Sequence, residues 1–295
     1  MKPLARLPLH ALALGMLLAA APAGAAVEAL DDTGRLVRLA EPARRIVALA
    51  PHLSELLFDA GAGAALVGTP AFSDYPEAAK TISRIGDARA LDLERIVALR
   101  PDLVVAWASG SPKRQVERLG ALGLPVFYSE TPDLDAIAGA LERLGRLAGT
   151  SAAAGQRAER FRRDLAALRA RHAGQESLRV FYQVAAQPLV TVSTRHVIAD
   201  ALAVCGARSV FAAHRDWLPR PSREAVLLAD PDAIVVAAAD DREARLAQWR
   251  HWDALRAVAA GRLYIVDPST LHRATPRILE GVAKLCGHIA TARGG

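Results

Sequence analysis

One segment of this chain occurs twice. Asp92-Leu93-Glu94-Arg95-Ile96-Val97-Ala98-Leu99-Arg100-Pro101-Asp102-Leu103-Val104-Val105 aligns with Ser222-Arg223-Glu224-Ala225-Val226-Leu227-Leu228-Ala229-Asp230-Pro231-Asp232-Ala233-Ile234-Val235 at a constant offset of 130 positions. Each copy opens on a helix-capping residue, runs through a short apolar helix, turns at Pro-Asp and enters an apolar strand. Self-similarity of this kind constrains architecture more than any single motif, because it implies two lobes built on one plan. Around the repeat, short apolar runs (Ile46–Leu49, Leu66–Gly68, Leu103–Ala106, Pro125–Tyr128) alternate with helical patterns such as Ser54–Ala60 and Leu93–Leu99. Val180–Val184, Ala233–Ala237 and Leu263–Val266 continue the style, and Pro276–Thr291 reads as a closing helix. Strands apolar on both faces belong to sheets covered by crossover helices. The chain is therefore expected to be α/β, with two pseudo-symmetric lobes, mainly parallel central sheets and a ligand cleft between them.

Leu134–Gly149 and Ser151 to about His172 read as helix, with Phe161, Leu165 and Leu168 at helical spacing. A long rigid backbone helix lacks the slack of a Gly/Ser linker and hinges little. The expected division is an N-terminal lobe over 26–134, an interlobe helical segment over 135–175 and a C-terminal lobe over 176–295.

Residues 1–25 read as a signal peptide: Lys2 and Arg6 supply the charged start, Ala11–Ala21 the apolar stretch, and Ala23-Gly24-Ala25 the small residues for cleavage. The apolar stretch is short of the roughly 20 residues that span a bilayer. With 52% hydrophobic and 23% charged residues, the remainder has the balance of a folded soluble protein. There are 37 Lys and Arg against 31 Asp and Glu, and two of the basic residues lie in the leader. So small and dispersed an excess, without aromatic platforms beside it, does not point to nucleic acid. Cys205 and Cys286 are the two cysteines. In an oxidising compartment an even pair is a candidate disulfide; two buried thiols packed as small apolar side chains are the alternative, and export favours the bridge.

Glu94 and Glu224 occupy the same place in the two copies of the repeat. A carboxylate in a first helical turn stabilises the macrodipole by roughly 0.3–1 kcal/mol, which accounts for either alone. Their recurrence points further, to a two-point contact with a partner presenting two basic sockets. A second set comprises Phe72 and Tyr75 in a loop after a strand, Trp107 at a strand end, Trp217 in a loop and Arg273 before a helix. Ligands of open α/β sheets collect at the carboxyl ends of strands, and this set suits a large flat ligand. The eight histidines include no pair at the i, i+4 spacing of a helical metal site, so no dedicated metal site is expected, and His272 reads as a solvated loop residue. The Gly-x-Ser-x-Gly elbow, His-Glu-x-x-His and the P-loop are all absent, leaving catalysis without support.

Arg45-Ile46-Val47-Ala48-Leu49-Ala50-Pro51, Ser73-Asp74-Tyr75-Pro76, Leu93 to Leu99, Pro101-Asp102-Leu103-Val104, Trp107, Arg114-Gln115-Val116, Ser222-Arg223-Glu224 and Arg273-Ala274-Thr275-Pro276-Arg277 together carry a likeness. The chain resembles the periplasmic cobalamin-binding proteins of bacterial ABC importers, within the helical-backbone receptors for metal chelates. The resemblance spans nearly all of the chain after the leader, and both cysteines fall where that family has its pair. It implies a monomeric periplasmic receptor, no enzymatic activity, capture of cobalamin (vitamin B12) or a related corrinoid in the cleft, and delivery to the importer permease. Glu94 and Glu224 would dock onto permease arginines, Trp107 and Arg273 would contact the corrin, and Phe72 stands where the family has a pocket tyrosine. Ala88, Val184 and Leu218 stand where further aromatics are expected, with Trp217 adjacent to Leu218, and Ser269 replaces an acidic residue. Haem or ferric-siderophore capture on the same fold, an enzyme of two-lobed α/β type and metal-ion capture are the alternatives.

Overall fold

The computed structural model describes residues 26–87 and 89–294, so the segment 1–25 that reads as a signal peptide, and Ala88, lie outside the described residues. The described chain opens on an antiparallel hairpin of β1 (Val27–Leu30) and β2 (Leu36–Leu39). Next come β3 (Ile46–Ala48), α1 (Pro51–Asp59), β4 (Leu66–Thr69), β5 (Ser83–Arg84), α2 (Leu93–Ala98), β6 (Leu103–Trp107), α3 (Lys113–Ala121) and β7 (Val126–Ser129). The last five strands form one parallel sheet in the order β5-β4-β3-β6-β7.

Two helices, α4 (Leu134–Leu147) and α5 (Ser151–His172), lead to the second lobe. They are separate because Gly149 adopts φ of 71° between them, where a Cβ would also meet Pro42 at 2.8 Å. The 22 residues of α5 span about 33 Å. The second lobe contains β8 (Leu178–Gln183), a small hairpin of β9 (Ala185–Ala186) and β10 (Leu189–Val190), α6 (Val197–Val204), β11 (Ala207–Ser209), α7 (Arg223–Ala229), β12 (Ala233–Ala237), α8 (Arg242–Arg250), α9 (Arg256–Ala259), β13 (Leu263–Val266), α10 (Pro268–Leu271) and α11 (Ile278–Gly294). Its sheet is also parallel, in the order β11-β8-β12-β13. The closing helix differs from expectation at both ends: Pro276 lies just ahead of α11, which continues to Gly294. No helix among the described residues is long and apolar enough to cross a membrane.

The repeat is structural down to individual hydrogen bonds. Asp92 and Ser222 cap α2 and α7 by accepting from the amides of Arg95 and Ala225. Arg100 and Asp230, at equivalent positions, leave those helices with positive φ of 46° and 39°. Asp102 and Asp232 then accept the amides of Arg45 and Arg179, while those guanidinium groups donate to the carbonyls of Leu99 and Ala229. In each lobe one Arg and one Asp thus tie the helix end to the strand entering the sheet.

Period-two alternation explains why the strands read as continuous apolar runs. Leu103 and Val105, like Ala233 and Val235, face a central core that joins both lobes through Leu141 and Leu144 of α4 and Phe161 of α5. Val104 and Ala106 face an outer N-terminal cluster with Ile96, while Ile234 and Val236 face an outer C-terminal cluster with Phe181 and Trp249. The central core is continuous across the lobe boundary, which opposes hinging. Cys205, at the end of α6, is bonded to Cys286 of α11 across 81 residues, and both are buried in that core.

Candidate functional site

Between the lobes lies a cavity of about 440 Å³, within the usual range for small-molecule sites. Its N-terminal wall comes from Pro51 and His52 at the start of α1, Trp107 and Ser109 after β6, and Glu130, Thr131 and Pro132 after β7. Opposite are His196 and Val197 at the start of α6, Trp217 and Leu218 in a loop, and His272, Arg273 and Ala274 after α10. The first wall is built at the carboxyl edge of its parallel sheet, as open α/β sheets require.

Trp107 is oriented by its neighbours. Its Nε1 donates to Glu130 at 2.9 Å, and the second carboxylate oxygen of Glu130 accepts the Ser109 amide at 2.9 Å. Gly110 folds across the indole so closely that a Cβ there would fall 1.9 Å from the ring, and any larger residue would displace the tryptophan. Trp217 lies across the cleft, with the Arg195 guanidinium 5.5 Å from its ring.

Arg273 is bound on several sides. One terminal nitrogen donates to Glu55 at 2.6 Å and to Asp74 at 2.5 Å, and the other donates to the Phe72 carbonyl at 2.9 Å. Glu55, on α1 and 1% exposed, also accepts from Arg277 at 2.9 Å and from the Thr275 hydroxyl at 3.1 Å. One buried carboxylate of the first lobe therefore holds two arginines of the second. Burial alone would lower the pKa of Arg273, but its hydrogen bonds to Asp74 and Glu55 outweigh that and keep it above the ordinary value. Phe72 and Tyr75 border this cluster and do not line the cavity: Phe72 is 79% exposed with φ of 66°, and Tyr75 packs beneath Arg277, 4.0 Å from its ring.

Three histidines line the cavity, and His272 is no solvated loop residue. Its Nε2 lies 2.9 Å from the Tyr182 hydroxyl, and burial, with some contribution from His196, lowers its pKa to about 4. His196 caps α6, its Nδ1 accepting the Ile198 amide at 3.2 Å, and burial lowers it to about 4 as well. His52 packs edge-on against Trp107 with ring centroids 5.1 Å apart; burial, then the nearby Arg273 charge, lowers it to about 4. All three imidazoles are neutral near pH 7. Two of them lie at helix starts and the third just after α10, and nothing local in the sequence signals that they converge.

Glu94 and Glu224 are exposed on the first turns of α2 and α7. The Glu224 carboxyl lies below its ordinary range because its own amide and the Ser222 hydroxyl donate to it. Each helix runs back against the strand that follows it, which puts its N-terminus at the carboxyl edge of its sheet. Among the positions where further aromatics were expected, Leu218 lines the cavity, whereas Val184 faces a different depression beside Arg223 and Arg245. Ser269 is bonded through its amide to Asp267 and through its carbonyl to Arg277. Among the described residues no three His, Cys, Asp or Glu side chains converge as a metal-ion cage.

Two lobes of parallel sheet joined by helices, with a cavity between them, are the architecture of a solute receptor. The periplasmic binding protein family model matches residues 46–270, and the chain belongs to that family. It is 36% identical over 253 residues to the vitamin B12-binding protein of Yersinia pestis (strain Pestoides F), covering 85% of this chain and 88% of that one. Among solved structures, the periplasmic vitamin B12 binding protein BtuF of Vibrio cholerae superposes with a TM-score of 0.81 at 32% identity, over 86% of this chain and 99% of that one. A periplasmic heme binding protein from Pseudomonas aeruginosa gives 0.73 at 28% identity, over 84% and 92%.

Proposed function

We propose that this chain is a periplasmic receptor that captures cobalamin or a related corrinoid between its lobes and passes it to an ABC importer. The observation that carries the choice of ligand is the charge balance of the cleft. Arg273 is the sole Arg or Lys lining the cavity among the described residues, and Glu55 and Asp74 already neutralise it. The three lining histidines are neutral and Glu130 adds a carboxylate. An anionic haem or siderophore would meet no unpaired cation among the lining side chains, whereas the amide-fringed corrin needs neutral donors and acceptors and an apolar face, which imidazoles and tryptophans supply. The similarity to vitamin B12-binding proteins of Yersinia and Vibrio supports the same reading.

Glu94 and Glu224 serve as the two docking points for the permease. Exposed apolar side chains accompany them on the same short helices, Val97 on α2 and Leu228 on α7, the latter 88% exposed, so each charge sits beside a surface able to be covered. Residues 1–25 direct export and are removed, and the receptor works as a monomer. Equilibrium titration of the chain from residue 26 onward tests the ligand assignment. Cyanocobalamin binds one to one, and Trp107→Ala weakens it by about 30-fold or more, as loss of a central aromatic anchor does. Absence of cobalamin binding by the folded protein refutes the assignment.

A further inference from the structure

We propose that His52 is an axial metal ligand: from the cleft wall its imidazole coordinates the metal of a chelate whose axial position on that side holds an exchangeable water. This deepens the corrinoid reading and rests on it. The argument is one of tautomers. His196 accepts the Ile198 amide on Nδ1, so its proton resides on Nε2. His272 Nε2 lies 2.9 Å from the buried Tyr182 hydroxyl. One ring nitrogen of each of these two histidines is thus already engaged by the protein.

His52 differs. It makes no side-chain hydrogen bond among the described residues, although it lines the cavity. Its position is fixed on two sides: Pro51 occupies the first turn of α1 beside it, and the ring stands at 87° to that of Trp107. An imidazole held in place at the cleft wall with no partner on its ring nitrogens among the described residues is what a metal centre requires of a ligand.

The step balances without any redox partner. On an aquocobalt(III) corrin, the Co–O bond breaks and water leaves with both hydrogens and the bonding pair. The unprotonated ring nitrogen of His52 then forms the Co–N bond, while its other nitrogen keeps its proton. Cobalt stays in the same oxidation state. A corrin whose upper position holds firmly bound cyanide enters the cleft without this step.

Absorption spectroscopy with aquocobalamin and cyanocobalamin as probes tests the assignment. In the wild-type protein the aquocobalamin bands shift away from those of the free compound, the cyanocobalamin bands do not, and aquocobalamin binds roughly tenfold or more tightly than cyanocobalamin. His52→Ala loses the shift and the preference, so that its affinities for the two compounds become equal whatever loss both share from removing a cleft imidazole. If that variant fails to bind cyanocobalamin, His52→Gln, of similar reach, replaces it. An unshifted aquocobalamin spectrum in the wild type overturns the proposal, as does a shift that survives in His52→Ala. Failure to bind either compound overturns the corrinoid reading itself, a result distinct from binding both without ligation.

Discussion

Glu55 is the buried carboxylate that, beside the more exposed Asp74, reaches across the lobes, and replacing it tests how the receptor is held together. It is 1% exposed and accepts from Arg273 at 2.6 Å, Arg277 at 2.9 Å and Thr275 at 3.1 Å. The two guanidinium groups are themselves 15% and 14% exposed, so Glu55→Gln leaves them charged and largely shielded from water. Removing one partner of a buried ion pair costs about 3–5 kcal/mol. Asp74, 54% exposed, continues to pair with Arg273, which puts the expected loss at the lower end, about 3 kcal/mol. At a few degrees per kcal/mol for a chain of this size, Tm falls by about 6–12 °C. Urea denaturation of Glu55→Gln, Arg277→Met and the double variant gives the loss and the coupling, expected to lie at about 0.5–3 kcal/mol because the residues touch. A loss under about 1 kcal/mol for Glu55→Gln, with additive behaviour in the cycle, refutes the claim that this carboxylate fastens the lobes.

Three further outcomes are expected. Replacing both Cys205 and Cys286 by serine opens an 81-residue separation and lowers stability by about 4.5 kcal/mol on the chain-entropy account; an unchanged urea midpoint contradicts it. His52, His196 and His272 titrate near 6.5 when unfolded and near 4 when folded, so the folded chain binds fewer protons between those values. Their contribution to stability is complete above about pH 6.5 and is lost as pH falls towards 4, with a shallower fall in His196→Gln; a midpoint constant from pH 7 to 4.5 excludes this. Charge reversal of Glu94 together with Glu224 abolishes stimulation of the cognate importer and leaves ligand affinity unchanged, whereas undiminished transport eliminates these residues as the docking pair.

What the sequence disclosed was whatever is encoded locally. The two-lobed plan was legible because the repeat combines cap, short helix, Pro-Asp turn and strand within fourteen consecutive positions, each using a short-range preference. The strand runs were legible because burial on both faces removes polar alternation, as Val104 and Val105 illustrate by facing different cores. Glu55 was not legible: it is one acidic residue in the apolar Leu53–Phe58 stretch, and its partners lie more than 200 positions later. His272 was misread for the same reason, since the Tyr182 hydroxyl that fixes it belongs to a strand 90 residues earlier. Phe72 lies outside the cavity lining, on a loop where it adopts a positive φ that its residue type does not announce. The β1–β2 hairpin went unread because one face of each strand is exposed, so Glu28 and Arg38 interrupt the apolar run that marked the buried strands.

The central claim is that a cleft with its arginine already neutralised selects a neutral corrin over an anionic chelate. Competition between cyanocobalamin and haem for the chain from residue 26 onward, followed by calorimetry at pH 7.5, tests it most directly. The account predicts saturable one-to-one cobalamin binding that equimolar haem does not displace. Tighter binding of haem, with cobalamin displaced from the same cleft, contradicts it.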